Sequence, residues 1–308
     1  MADAYTSTTA QAALVQAAVD RYVRADLRHS PLLRSMADTR PVQVNMPGSS
    51  VKLYTYPDLA VATTPLNETT DPDAVALGNP TSTEVTLNEY GVATISTIRL
   101  RQTAFSDIDP NQMDQVAYNM RNTLDTLVRD ELSGGTNVYY SGNATTTNTV
   151  DATDTLASND VRKAVTKLRR NAAQGRRADL YAALVHPDVS FDLRKESDAG
   201  GWHEAHKYAA PDLIWPGEIG VYQGAYFIES ARMKVAADGA AGANVYRSLF
   251  LGKEALAEAV AVEPGARVGV VPDKLNRFYP LGWYGFLGWK RFREAALVRV
   301  ESGSSFVA

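Results

Sequence analysis

The residues best suited to chemistry are His203-Glu204-Ala205-His206, beside Gly200-Gly201. Two imidazoles on one helix face can hold zinc while the intervening carboxylate acts as a base. That chemistry needs the histidines four apart. Here they are three apart, and no third ligand follows at a usable spacing. A solvated polar loop is the expectation for this stretch. Asp107-Ile108-Asp109-Pro110-Asn111 imitates the opening of a calcium loop, yet Gln112 stands where the sharp turn demands Gly and Tyr118 where a bidentate Glu is required. These acids read instead as the cap of a helix. Gly217, Gly220 and Gly224 are spaced too widely for a dinucleotide loop. His186, just ahead of Pro187, reads as part of a turn, and no Ser/His/Asp set assembles from spacing. Cysteine is absent, which excludes disulfides, thiolate nucleophiles and cysteine-held metals together. The expectation is a protein with no catalytic residue, no cofactor and no metal.

What the chain does offer is segregated charge. Arg162, Lys163, Lys167, Arg169 and Arg170, followed by Arg176 and Arg177, form a basic cluster. The plain reading is the wet face of an amphipathic helix. The functional reading is contact with DNA or with an acidic surface on a partner subunit. Asp58, Glu68, Asp71, Asp73 and Glu84 supply such a surface, in or beside one long loop. These ten residues, Arg162 to Arg170 and Asp58 to Glu84, are the candidate subunit-interface set. No lysine follows Lys52 within that loop, which argues against a lysine-based covalent link through its tip.

The elements that must position these groups follow from periodicity. Residues 5–28 read as a helix, with Leu14, Ala17, Ala18, Val19 and Tyr22 near helical spacing and Pro31 at its end. Leu32 to Met46 shows neither period and reads as an extended arm with little core of its own, which must lie against something else. Val51 to Tyr56 and Glu84 to Leu87 are strand-like, and a phase shift into Tyr90, Val92 and Thr94 suggests a bulge near Asn88 or Glu89. Between them lie 27 residues, Pro57 to Thr83, carrying Pro65, Pro72 and Pro80. Loops this long are uncommon without a function, so a two-stranded arm that pairs with a neighbour is favoured over a plain surface loop. Asp109 and Pro110 open a long helix with Met113, Val116, Ala117, Met120, Leu124, Leu127, Val128 and Leu132 along one stripe, ending at Gly134-Gly135.

Residues 141–157 form a polar spacer and a domain boundary. A compact α/β unit follows. Ser158 or Asn159 caps a helix with Val161, Ala164, Val165, Leu168 and Ala172 on one face, stopping near Gly175. Leu180 to Val185 is a buried strand, His186-Pro187-Asp188 turns into a second helix, and Val221 to Glu229 and Ser248 to Gly252 are strand-like. Ala255 to Val262 reads as a short helix. An aromatic stretch from Phe278 to Trp289 and a strand-like tail, Ala295 to Val300, close the chain. No internal repeat is found.

Bulk properties set limits. The 308 residues are 45% hydrophobic and 21% charged, with a formal net charge of −4. That balance argues against a protein that grips DNA through clustered cations, though not against a container whose wall tolerates it. No apolar run approaches the roughly 20 residues needed to cross a bilayer, and the N-terminus lacks the pattern of a secretory signal. Neither membrane attachment nor export is expected.

The order of parts resembles the Hong Kong 97-type major capsid fold of tailed phages. Four stretches carry the likeness: Leu184-Val185-His186-Pro187-Asp188; Gly217 to Ser230; Phe250-Leu251-Gly252-Lys253-Glu254-Ala255; and Pro280-Leu281-Gly282-Trp283 through Gly288-Trp289-Lys290. It spans roughly residues 45–300. The resemblance implies an α+β fold with an N-terminal arm (1–45), an extended β-hairpin loop with flanking strands (46–104), a peripheral domain with a long spine helix (105–140, returning at 263–308) and an axial α/β domain (141–262). It implies a structural, non-catalytic protein that self-assembles through hexamers and pentamers into an icosahedral virion capsid, built in the bacterial host cytoplasm around double-stranded DNA bound without sequence specificity. The chain opens on the arm, without a long charged helical pre-segment, so the scaffolding protein is expected to be separate, alongside a portal and a possible decoration protein. The alternatives are an encapsulin-like compartment, which shares this fold, and, from a different class, a metal-dependent hydrolase using His203 and His206.

Overall fold

The computed structural model describes residues 32–41, 50–66, 68–69, 71–103, 108–196, 218–269, 273, 275 and 277–306. The expected helix over 5–28 and the His203–His206 stretch lie outside them.

The chain's main layer is a seven-stranded sheet. Its strands are β5 (Val138–Tyr140), β6 (Tyr181–Val185), β7 (Glu218–Tyr222), β8 (Ala225–Glu229), β9 (Val235–Ala236), β10 (Val245–Leu251) and β13 (Leu297–Ser302). The order is β5-β13-β10-β6-β8-β7, with β9 pairing β10. Every residue of β6 is buried, as its unbroken apolar run requires of a central strand. It continues directly through His186 into α4 (Pro187–Lys195), where Pro187 takes the first helical position and the His186 ring nitrogen accepts the Asp188 N–H. The two-residue turn Gln223-Gly224 joins β7 to β8 with positive φ at both positions, +51° and +85°. That is the turn whose twist suits a tight hairpin and favours Gly.

Helix α3 (Ser158–Arg170) packs Val161, Ala164, Val165 and Leu168 into the core. It starts at Ser158, so neither Ser158 nor Asn159 is the cap. Asp160 reaches back to the Ala157 N–H, and Glu196 at the end of α4 accepts the Ser158 N–H at 2.8 Å. The polar stretch before it is not a bare spacer, because Val150 and Leu156 are buried.

The second layer is a four-stranded sheet, β1-β11-β12-β4, made of β1 (Asp38–Pro41), β4 (Asn88–Thr97), β11 (Leu256–Val268) and β12 (Phe278–Arg291). The expected helix over Ala255–Val262 is a strand: β11 has β12 antiparallel on one side and β1 parallel on the other. Both its edges are hydrogen-bonded, and Leu256 to Ala259 are buried. That tertiary pairing overrides the helix preference of Leu-Ala-Glu-Ala. The long helix α2 runs Ile108–Ser133, 26 residues and about 39 Å. It begins one residue before Asp109, which therefore sits inside the first turn. Val116, Leu124, Val128 and Leu132 are buried along its stripe, while Met113 is 54% exposed. A short helix, α1 (Ile98–Thr103), joins β4 to the stretch before α2.

Among the described residues of the arm, the apolar anchors are covered within the chain. Leu33 and Met36, on a turn of 3-10 helix, are buried in the core that also holds Val128, Leu132 and residues of β6, β8, β10 and β13. Pro41 ends the described part of β1, and residues 42–49 lie outside it.

Candidate assembly surfaces

Strands β2 (Ser50–Thr55) and β3 (Thr81–Thr86) form a separate two-stranded ribbon, paired from Ser50–Thr86 to Thr55–Thr81. Its root is anchored by Val85 and Leu87, buried against Ala259 and flanked by Phe286. The suspected bulge is a change of sheet: β3 ends at Thr86, and β4 begins at Asn88 on β12. Crossing Leu87 shifts the phase because the chain leaves one sheet for another.

Beyond the root the ribbon has no cover. Every described residue from Tyr54 to Ser82 is exposed. Among them Tyr54, Tyr56, Leu59, Val61, Leu66, Val75 and Leu77 are large apolar side chains at more than half exposure, Val61 reaching 85%. Single exposed apolar residues are ordinary, but seven on one projecting segment mark a surface built for contact. Sequence reading found the loop and placed Tyr54 and Tyr56 on a strand, but missed the five beyond them, which sustain neither period. Their signal was apolar content persisting among the prolines.

The candidate acids divide. Asp58, Glu68, Asp71 and Asp73 lie exposed on the projecting segment. Glu84 stands at the root opposite Lys52 and accepts the Ser50 hydroxyl, so it serves the ribbon itself. The candidate cations come together on one side of α3. Arg162, Lys163, Arg169 and Arg170 are exposed, and half-buried Lys167 lies over the Tyr139 ring at 4.8 Å. Lys163 also pairs with Asp160 at 3.0 Å. Three of these cations fall in the last turn of α3, where they also favour the helix C-terminus. Arg176 is drawn elsewhere, to Asp38 of the arm at 3.4 Å.

His186 is turn chemistry. Burial pushes its imidazole below the usual range against the pull of Asp188 and Glu229, and it packs on the Tyr246 ring at 5.1 Å. Burial, then the hydrogen bond to Asp188, push the Tyr246 phenol up to about 12. Among the described residues no group of three or more His, Cys, Asp or Glu is arranged to hold a metal, and no helix is long and apolar enough to cross a membrane.

A seven-stranded sheet, a four-stranded sheet, a long spine helix and a bare, apolar, acidic ribbon are the parts of a Hong Kong 97-type capsid subunit. The chain belongs to the phage capsid protein family, whose model matches residues 4–302, and it is a major capsid protein, a structural subunit of a phage shell. No curated protein is detectably similar to it in sequence. Its fold is similar to that of the Ralstonia phage GP4 capsid, with a TM-score of 0.75 at 16% identity over 96% of this chain and 97% of that one. It is likewise similar to the capsid of cyanophage Pam1, with a TM-score of 0.70 at 15% identity over the whole of both chains. The head of Helicobacter pylori bacteriophage KHP40 gives 0.70 at 12% identity over 98% of each.

Proposed function

We propose that this subunit self-assembles through hexamers and pentamers into an icosahedral shell enclosing double-stranded DNA, and that it performs no catalysis. The observation that carries this reading is the uncovered ribbon. A two-stranded ribbon is marginal in water, and exposed apolar area of this extent is stabilised once a neighbouring copy removes it from solvent. The seven-stranded sheet with α3 and α4 is then the axial unit at the capsomer centre. The four-stranded sheet with α2 is the peripheral unit, and the ribbon is the arm between subunits. The candidate acids and cations belong to that intersubunit surface. A separate scaffolding protein, a portal and a decoration protein complete the proposed set of partners, with assembly in the host cytoplasm. The family match favours a phage shell over an encapsulin-like compartment.

The test replaces residues 57–80 with a two-residue Asn-Gly turn, leaving the β2–β3 root intact. The expected product has the circular dichroism of the parent but forms no shells by electron microscopy. Normal shells from it would sink the role given to the ribbon.

A further inference from the structure

We infer that β13 is a closing strand whose arrival gates the folding of the seven-stranded sheet, so that a subunit under synthesis cannot assemble until Ser302 has left the ribosome. The gate itself rests on the sheet topology, and its consequence for assembly rests on the self-assembly reading above.

The strand lies inside its sheet, far in sequence from the partners on either side. It pairs antiparallel with β10, from Tyr246–Ser302 to Leu251–Leu297, and parallel with β5, from Val138–Arg299 to Tyr140–Glu301. Among the described residues β5 has β13 as its one sheet partner. The Arg299 guanidinium also donates to the Ser133 carbonyl at the end of α2, 166 positions earlier. The stretch after β5 closes on the same strand. The Ser141 N–H donates to the Glu301 carbonyl at 3.0 Å, the Thr147 hydroxyl to the Glu301 carboxylate at 2.7 Å, and the Gly303 N–H to the Asp154 carbonyl at 2.9 Å. Residues 138–155 are made early and wait for 297–303. Contacts this distant form late, because the entropy of closing the loop comes before their gain.

The alternative is a β10-β6-β8-β7 sheet that folds early and merely accepts β13 afterwards. The core argues against it. Leu297, Val298 and Val300 are fully buried, in one cluster with Val161 and Leu168 of α3 and Leu132 of α2. Without them α3 loses the strand it packs on. Burial of three such side chains is a large share of a domain's marginal net stability. The edge that β10 offers is also keyed to this strand. Until β13 arrives, that edge carries unpaired backbone groups, a template for mispairing. Arg247 on β10 stands opposite Glu301 in the register, at 3.3 Å, and Glu301 is fully buried. Before β13 docks, Arg247 is left with Asp238, whose side chain is 40% exposed. A second nascent copy offers that edge the same cation, which repels, whereas β13 brings a carboxylate in register. The edge therefore selects its own closing strand.

The test uses the full chain held on stalled ribosomes through graded linkers after Ala308. In one complex the exit tunnel has released Arg291 but still encloses Leu297–Ser302. In the next it has released Ser302 as well. A brief protease pulse reads cleavage within 138–155 and along β10. Cleavage is expected to slow at least about tenfold between the two complexes, since it follows the population of open chains. A Val300→Asp chain on the longer linker is expected to be cut as fast as the enclosed one, because an unpaired carboxylate cannot be buried there. The inference is overturned if protection is already complete when only Arg291 has emerged. It is equally overturned if the Val300→Asp chain is protected like wild type. The protease readout needs no assembly, so it holds or fails independently of the 57–80 replacement that tests self-assembly.

Discussion

The Asp125 carboxylate on α2 and the Arg232 guanidinium after β8 meet at 2.8 Å, with Asp125 only 1% exposed. The other carboxylate oxygen accepts the Leu33 N–H of the arm. Arg232 also donates to the Asn122 carbonyl and the Thr126 hydroxyl, both on α2. One buried acid therefore joins three segments far apart in sequence: the arm, the long helix α2 and the turn that follows β8. Removing it strands a largely buried cation and an arm N–H. Asp125→Ala is expected to destabilise the unassembled subunit by about 3 kcal/mol, read as a lower urea midpoint. Hydrogen exchange should rise first at Leu33 to Met36, which lose their anchor to the helix.

Glu301 on β13 poses the same problem with more charge. It is fully buried and faces Arg247 at 3.3 Å, Arg299 at 3.0 Å and the Thr147 hydroxyl at 2.7 Å. The Arg299 Nε–H is not aimed well enough to count as a hydrogen bond, so that contact is mainly Coulombic. Burial pulls the Arg299 guanidinium below its usual range, and Arg247 pulls the same way against Glu301. Glu301→Gln keeps the shape and removes the charge, leaving Arg247 with the more exposed Asp238 and Arg299 without its buried carboxylate. A loss of about 3 kcal/mol is expected. An unchanged thermal midpoint would show that solvent reaches the pair.

How much of this could be read along the chain depends on whether the causes are local. The stripe of α2 and the apolar run of β6 announce their burial because each satisfies one period by itself. The His186-Pro187-Asp188 turn carries its own capping chemistry. By contrast β11 is made by neighbours: Asp38 to Pro41 on one edge and Leu281 to Arg291 on the other. Its residues, taken alone, suit a helix. The Asp125–Arg232 pair spans 107 positions and leaves no local trace. The acidic and basic residues proposed as an interface were visible as composition, since segregated charge needs no fold to be seen. The apolar side chains of the ribbon beyond Tyr56 were not, because a surface awaiting a second copy need sustain neither the helical nor the strand period.

His186 gives a pH dependence whose sign is fixed by burial. Its folded pKa lies below the unfolded value, so between the two the unfolded chain binds more protons. Its contribution is complete above about pH 6.5 and is lost as pH falls toward the folded pKa. His186→Asn keeps a cap acceptor for the Asp188 N–H without titrating there. The stability of wild type minus that of this variant is therefore expected to decline on acidification below about pH 6.5 and to be flat above it. Urea midpoints across pH 5 to 8, taken as roughly the range in which histidine titrates, check this. A difference that grows on acidification would mean the imidazole is held charged.

Gly288 governs how firmly the ribbon is planted. It lies on β12 where β3 hands over to β4, and a Cβ there would collide with the Thr86 carbonyl and crowd Leu87. Backbone cannot yield as a flexible side chain can. Gly288→Ala therefore has to push the ribbon root off β12, disturbing the small cluster of Val85, Leu87 and Ala259. The expected cost is about 1–3 kcal/mol, the usual range for overpacking. Its location is more telling than its size. The cluster at this junction is separate from the core that holds β6 and β10, so protection of β6 and β10 amides should stay near wild type while that of β3 falls. If the two sheets lost protection equally, the ribbon root would be part of the main cooperative unit rather than a separate anchor, and the ribbon's freedom to reposition on a neighbour would have to come from residues beyond Thr55 and Thr81.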